Sequence, residues 1–152
     1  MALNIFSLNC KGLRDFSKRE FLFNYFKILK SDIIFLQETH CDNIKTAKKW
    51  AKMWAGKIFW SFGTTRSRGV AIMVSPNLVN HIQNFDFDTE GRLVSLVLRI
   101  CDVDIQFLNV YLSNDAKERK HFIQNEIQNY IIKNKVVIGG DFNFVENIDL
   151  DK

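Results

Sequence analysis

Residues 136 to 143 constrain this chain more than any other stretch: the apolar run Val136-Val137-Ile138 leads into Gly139-Gly140-Asp141-Phe142-Asn143. A short, β-branched run bounded by glycines reads as a strand covered on both faces. The two glycines allow the backbone to turn sharply, and Asp141 and Asn143, two apart in an extended segment, point the same way. A carboxylate and an amide projected together from the end of a buried strand suit a metal ion and a phosphate. The pattern gains weight because three earlier segments end similarly.

Leu3 to Asn9 reads as a first strand. Ser17-Lys18-Arg19-Glu20 then has the spacing of a capping box, which predicts a helix running to about Lys30 with Phe21, Leu22, Tyr25, Ile28 and Leu29 on its inward face. Ile33-Ile34-Phe35-Leu36 is a second buried strand, ending in Gln37-Glu38. A helix over 44–55 places Trp50 and Trp54 on one stripe and four lysines on another, and the lysine stripe reads as a solvated face. Strands over 57–62 and 69–74 flank the loop Gly63 to Arg68. Segments 92–101 and 103–111 form a hairpin turning at Asp102. Asp115 opens a further capped helix with Phe122, Ile123, Ile127, Tyr130 and Ile131 inward, before the strand at 135–140. Helices alternate with strands in the first and last thirds, with hairpins between, which indicates an α/β fold with mixed sheets.

A chain of 152 residues with 47% hydrophobic content makes one globular domain with a sizeable core. Fourteen phenylalanines against seven glycines and one proline argue for dense packing and short connections. No apolar run approaches membrane-spanning length, and Asn4, Ser7 and Asn9 interrupt the start where a signal peptide is continuously apolar, so neither a membrane nor secretion is expected. Cys10, Cys41 and Cys101 form no close pair and fit reduced thiols of a cytosolic or nuclear setting. The net charge of +4 permits a polyanionic partner without requiring one.

Ligands of open α/β sheets bind beyond the carboxyl ends of the strands. Four strands here end in Asn9, Glu38, Tyr111 and the pair Asp141 with Asn143. If those strands are parallel neighbours, their ends make one rim of two carboxylates, two amides and a phenol, an oxygen set suited to magnesium. Taken singly, Glu38 also reads as a helix cap or surface turn, Asn9 as a turn former before Gly12, and Tyr111 as a half-buried phenol on a backbone carbonyl. Asp141 resists such a reading best, because a cap requires no preceding glycines. Zinc-ligand spacings and a nucleophile elbow are both missing, and His81 and His121 read as surface or boundary residues.

Asn9-Cys10-Lys11-Gly12-Leu13-Arg14, Leu36-Gln37-Glu38-Thr39-His40, Gly69-Val70-Ala71-Ile72, Glu90-Gly91-Arg92, Asn109-Val110-Tyr111 and Gly140-Asp141-Phe142-Asn143 together resemble the endonuclease/exonuclease/phosphatase superfamily. Within it, the chain is most similar to the apurinic/apyrimidinic-endonuclease-like domain of LINE-type retrotransposons. The resemblance spans essentially the whole chain and implies a four-layer α/β sandwich of two mixed sheets, deoxyribonuclease-I-like. It further implies that Asn9 and Glu38 help hold Mg2+, that Tyr111 contacts the scissile phosphate, that Asp141 orients or deprotonates the attacking water, and that Asn143 supports the phosphate. Arg66 and Arg68, in the loop before the 69–74 strand, are candidates to touch the DNA backbone, and a solvated hairpin is the competing reading.

Such domains continue past the Asp-x-Asn motif to a Ser-Asp-His-like motif, and His40, His81 and His121 lack the context to substitute for its histidine. The expectation is therefore a domain over 1–152 that is truncated after Gly-Asp-Phe-Asn, whose parent nicks DNA and which nicks little or not at all alone. A non-catalytic nucleic-acid-binding remnant and a phosphoesterase of the same superfamily are the alternatives. DNA is the expected partner, with no small-molecule cofactor.

Overall fold

A computed structural model describes residues 2–144. Met1 and the segment 145–152, on which the expected truncation behind Gly-Asp-Phe-Asn falls, lie outside the described residues. Two four-stranded sheets dominate the chain. The first contains β1 (Ile5–Asn9), β2 (Ile33–Gln37), β3 (Lys57–Ser61) and β4 (Val70–Val74) in the spatial order β1-β2-β4-β3. The second contains β5 (Ile82–Phe87), β6 (Leu93–Ile100), β7 (Val103–Tyr111) and β8 (Val136–Asp141) in sequence order. Helix α1 (Phe16–Ile28) carries the chain from β1 to its parallel neighbour β2, and α3 (Ala116–Asn125) from β7 to its parallel neighbour β8. The other pairings are antiparallel, so both sheets are mixed.

Strand periodicity builds the layers, because alternate side chains face opposite sides of a sheet. Ile34, Leu36, Ala71 and Met73 pack under Phe23 and Phe26 of α1 and Ala47 and Trp50 of α2 (Ile44–Ala51). Their neighbours Ile33, Phe35, Ile72 and Val74 turn the other way and meet Leu96, Leu98 and Phe107 of the second sheet. The outer face of that sheet, through Leu108 and Val110, takes Phe122 of α3. Helix, sheet, sheet and helix stack in four layers. No helix among the described residues is long and apolar enough to cross a membrane.

The hairpin turns at Cys101 and Asp102, both with positive φ (49° and 61°), the two-residue arrangement whose twist matches that of the flanking strands. Asp115 caps α3 by accepting from the amides of Lys117 and Glu118. Other local expectations need correcting. The cap of α1 is Asp15, whose carboxylate accepts from the Lys18 amide, and Ser17 lies inside the helix. The helix buries Arg19, Phe23 and Phe26, whereas Phe21 and Ile28 stand 67% and 77% exposed, and Tyr25 stacks on Phe21 at the surface. Of the two apolar stripes on this helix, the one with Phe23 and Phe26 packs inward and carries Arg19 with it, and the guanidinium finds partners there. It donates to the Leu13 carbonyl at 2.6 Å and lies 4.8 Å from the Trp50 ring centroid.

Helix α3 is shorter than expected and ends at Asn125, with a 3₁₀ turn over Ile127–Tyr130, and Ile123 and Ile131 are exposed where an inward face was expected. Strand β5 escaped the periodicity reading because Ile82 to Phe87 pairs on one edge only and is largely exposed. Strand β8 is not covered on both faces among the described residues: it sits at the sheet edge, and Ile138 is 43% exposed. Nor does the chain turn at its glycines, since β8 runs through both to Asp141. Gly139 instead lies against the Phe35 ring, where a Cβ would come within 2.7 Å. Gly140, at φ +146°, lies against the backbone of Val110. The glycines bring β8 close to its neighbours.

All three cysteines are free. Burial pushes the thiols of Cys10 and Cys41 up to about 12, while Cys101 is exposed in the hairpin turn. Titration of the native chain with a chromogenic disulfide at pH 8 is therefore expected to count one reactive thiol, rising to three on denaturation. Two or more fast thiols in the native state would contradict the packing of the first helical layer.

Candidate active site

The rim is built by two parallel pairs in different sheets, rather than by four parallel neighbours of one sheet. Register places Asn9 beside Gln37 at the end of β1 and β2, and Tyr111 beside Asp141 at the end of β7 and β8. Face-to-face packing brings these two ends together. The Asn9 amide nitrogen donates to Glu38 Oε1 at 3.0 Å and to Asp141 Oδ2 at 2.7 Å, so one side chain joins carboxylates 103 positions apart in sequence, from separate sheets.

The remaining bonds orient the set. Asn9 Oδ1 accepts from the Lys11 amide, and Asp141 Oδ1 accepts from the Asn143 amide. The Asn143 side chain donates to the Leu112 carbonyl at 2.6 Å. Glu38 and Asn143 both adopt left-handed backbone (φ 50° and 46°), an uncommon geometry for non-glycine residues that clusters at functional sites. Burial, and then the nearby charges of Glu38 and Asp141, push the Tyr111 phenol up. At neutral pH the phenol keeps its proton and is a hydrogen-bond donor within an otherwise acceptor-rich cluster.

Asn9, Glu38, Tyr111, Asp141 and Asn143 are thus brought together. Arg66 and Arg68 are not part of that cluster. Arg66 is exposed in the loop before β4, and Arg68 pairs with Glu90 at 3.2 Å and approaches Glu118 at 3.9 Å. The backbone of that loop does touch the rim, since the Arg68 and Gly69 carbonyls accept from the amides of His40 and Thr39.

Two features escaped sequence reasoning. His40, dismissed on context, places Nε2 at 4.0 Å from Glu38 Oε2, and burial pushes its imidazole below the usual histidine range. Beneath the rim, fully buried Asn109 donates to the carbonyls of Leu36 and Ala71 and accepts from Gln37 Nε2 at 2.7 Å, bolting β7 to β2 and β4. A polar residue in the middle of an apolar strand was the available signal for Asn109. For His40 the signal was its place two residues after Glu38.

Among the described residues no group of three or more His, Cys, Asp or Glu side chains is placed to hold a metal ion. The donor set still fits a hard, strongly hydrated cation: two carboxylates converge on one amide nitrogen, so positive charge is favoured between them, and magnesium needs only one or two carboxylates.

Comparison with known proteins agrees with this architecture. The chain is 28% identical over 147 residues to the Transposon TX1 uncharacterized 149 kDa protein of Xenopus laevis, covering 95% of this chain and 11% of that one. TDP2 of Caenorhabditis elegans superposes with a TM-score of 0.66 at 22% identity, covering 94% of this chain and 48% of that one. TDP2 of D. rerio, complexed with single-strand DNA product, gives 0.71 at 20% identity, covering 95% and 62%. The 3′ phosphatase NExo of Neisseria, bound to a product DNA hairpin, gives 0.66 at 23% identity, covering 93% and 58%. The chain thus spans about a tenth of the transposon protein and roughly half to three-fifths of these solved relatives. The sequence profile described as "Endonuclease/Exonuclease/phosphatase family" matches residues 1–148, and with the two-sheet, deoxyribonuclease-I-like sandwich this places the chain in that family.

Proposed function

We propose that this chain carries the phosphodiester-hydrolysing site of a magnesium-dependent endonuclease domain that nicks DNA in the setting of a LINE-type retrotransposon. The observation that supports it is the Asn9 amide held between Glu38 and Asp141, which gathers metal-binding and proton-accepting groups at one spot. In this reading Asn9 and Glu38 hold the ion, whose chemistry when bound is to withdraw charge from phosphoryl oxygens. Tyr111, protonated, donates to a phosphate oxygen. Asp141 orients a water and takes its proton, and Asn143 supports the phosphate from the same strand end. Arg66, exposed, and Arg68, once released from Glu90, lie on a loop that can follow the DNA backbone. DNA, met in the nucleus or cytoplasm, is the partner.

The test is nicking of supercoiled plasmid by the full-length product of the gene, with and without EDTA. Mg2+-dependent nicking that Glu38→Ala lowers by at least a hundredfold is expected, while residues 1–152 alone nick little, because no Ser-Asp-His-like motif occurs among them. Equal nicking by Glu38→Ala, or in EDTA, would overturn the metal role. The likeness to a 3′ phosphatase bound to DNA favours a second reading, a phosphoesterase acting on DNA ends. Release of phosphate from a 3′-phosphorylated oligonucleotide, without plasmid nicking, would select it. A non-catalytic remnant, supported by the net charge of +4, would show salt-sensitive duplex binding that survives Asp141→Ala and no turnover in either assay.

A further inference from the structure

His40 is held in place by more than its ring. The segment after β2 is fastened on both sides by backbone bonds, Gly12 and Leu13 donating to the carbonyls of Glu38 and Thr39, while Thr39 and His40 donate to those of Gly69 and Arg68. His40 itself adopts φ +55°, which a non-glycine residue takes up only when its surroundings require it. The ring lies close against Gly12. A Cβ at position 12 would stand 2.8 Å from Nδ1 and 3.3 Å from Cε1, so the absent side chain makes room for the imidazole.

This arrangement sends Nε2 into the protein, where it is buried and has no hydrogen-bond partner. A buried, unpaired ring nitrogen is costly. The polar atom it faces is Glu38 Oε2, at 4.0 Å, beyond hydrogen-bond reach but within about 1 Å of it. The other Glu38 oxygen is already taken by Asn9. We infer that His40 is a positioning residue for Glu38: its Nε2–H closes on Oε2 and, with Asn9 on Oε1, holds the carboxylate in one orientation for a divalent cation.

The cation part rests on the proposed metal role of Glu38, and the hydrogen-bond part does not. Both are tested on the 152-residue chain. Long-range 1H–15N spectra of the imidazole report which nitrogen carries the proton. Protonated Nε2 in the metal-free chain, with its shift moved by Glu38→Ala, is the expected result. A ring protonated on Nδ1 alone, or one indifferent to Glu38→Ala, would overturn the inference. Mn2+ binding followed by electron paramagnetic resonance should weaken about tenfold in His40→Ala, and His40→Gln, which can place an N–H near the same point, should recover most of it. Unchanged affinity in a folded His40→Ala chain, or no recovery by glutamine, would refute the positioning role. Should the unsubstituted chain bind no Mn2+, the metal reading of Glu38 fails, and the imidazole spectra decide the His40–Glu38 bond by themselves.

Discussion

In the full-length gene product, Asp141→Asn is expected to lower kcat for plasmid nicking by about 10²- to 10⁴-fold, the range a positioned general base supplies. The substitution keeps the size of the side chain and removes its ability to take a proton. It also upsets local bonding, because Asp141 accepts on both oxygens, from the Asn9 side chain and from the Asn143 amide. An asparagine has one acceptor and must turn its NH2 toward one of those donors. KM should change far less than kcat if the carboxylate acts on water and not on DNA. The melting temperature, measured alongside, separates chemistry from folding: Asp141 lies at a half-buried strand end, where loss of one bond costs about 1 kcal/mol. A loss of activity below tenfold in a well-folded variant would remove Asp141 from the base position.

Asn109→Leu should have the largest effect on stability. Asn109 is fully buried between the sheets, with its NH2 on the Leu36 and Ala71 carbonyls and its oxygen on Gln37. Leucine of similar volume strands two carbonyls and the Gln37 amide, although Gln37 keeps a weaker bond to Ser7 at 3.2 Å. At about 1–3 kcal/mol for each buried group left unpaired, the expected cost is about 3 kcal/mol or more. Urea unfolding monitored by tryptophan fluorescence reads this directly, and for a chain of this size it corresponds to a drop in melting temperature of about 6–12 °C. A cost under about 1 kcal/mol would mean that the sheets hold their register by apolar packing alone. Because Tyr111 is two positions further along β7 and so faces the same sheet, the variant should also loosen the rim.

Much of the rim was legible because strand ends announce themselves. Ile33 to Leu36 and Val136 to Ile138 are apolar runs that give way within two or three residues to Glu38 and Asp141, the carboxylates the fold gathers. The hairpin at Asp102 and the cap at Asp115 were legible for the same local reason, since turn and cap chemistry acts over two or three residues. The buried face of α1 was not. Phe21, Tyr25 and Ile28 form as plausible an apolar stripe as Phe23 and Phe26, and nothing local marks the second as the face that goes inward with Arg19 against Leu13 and Trp50. The glycines before Asp141 serve close approach to Phe35 and Val110 and make no turn, a difference that depends on neighbours distant in sequence.

Residue order alone determined that these polar groups would emerge at the ends of strands, because hydrophobic period and polar stops are properties of a few consecutive residues. Tertiary structure alone decided that these ends face one another across two sheets and that His40 turns toward Glu38. It also placed Asn109 under the site as a bolt. Contacts between residues a hundred positions apart are set by how complete layers pack, and no window along the chain contains the sheet on the other side.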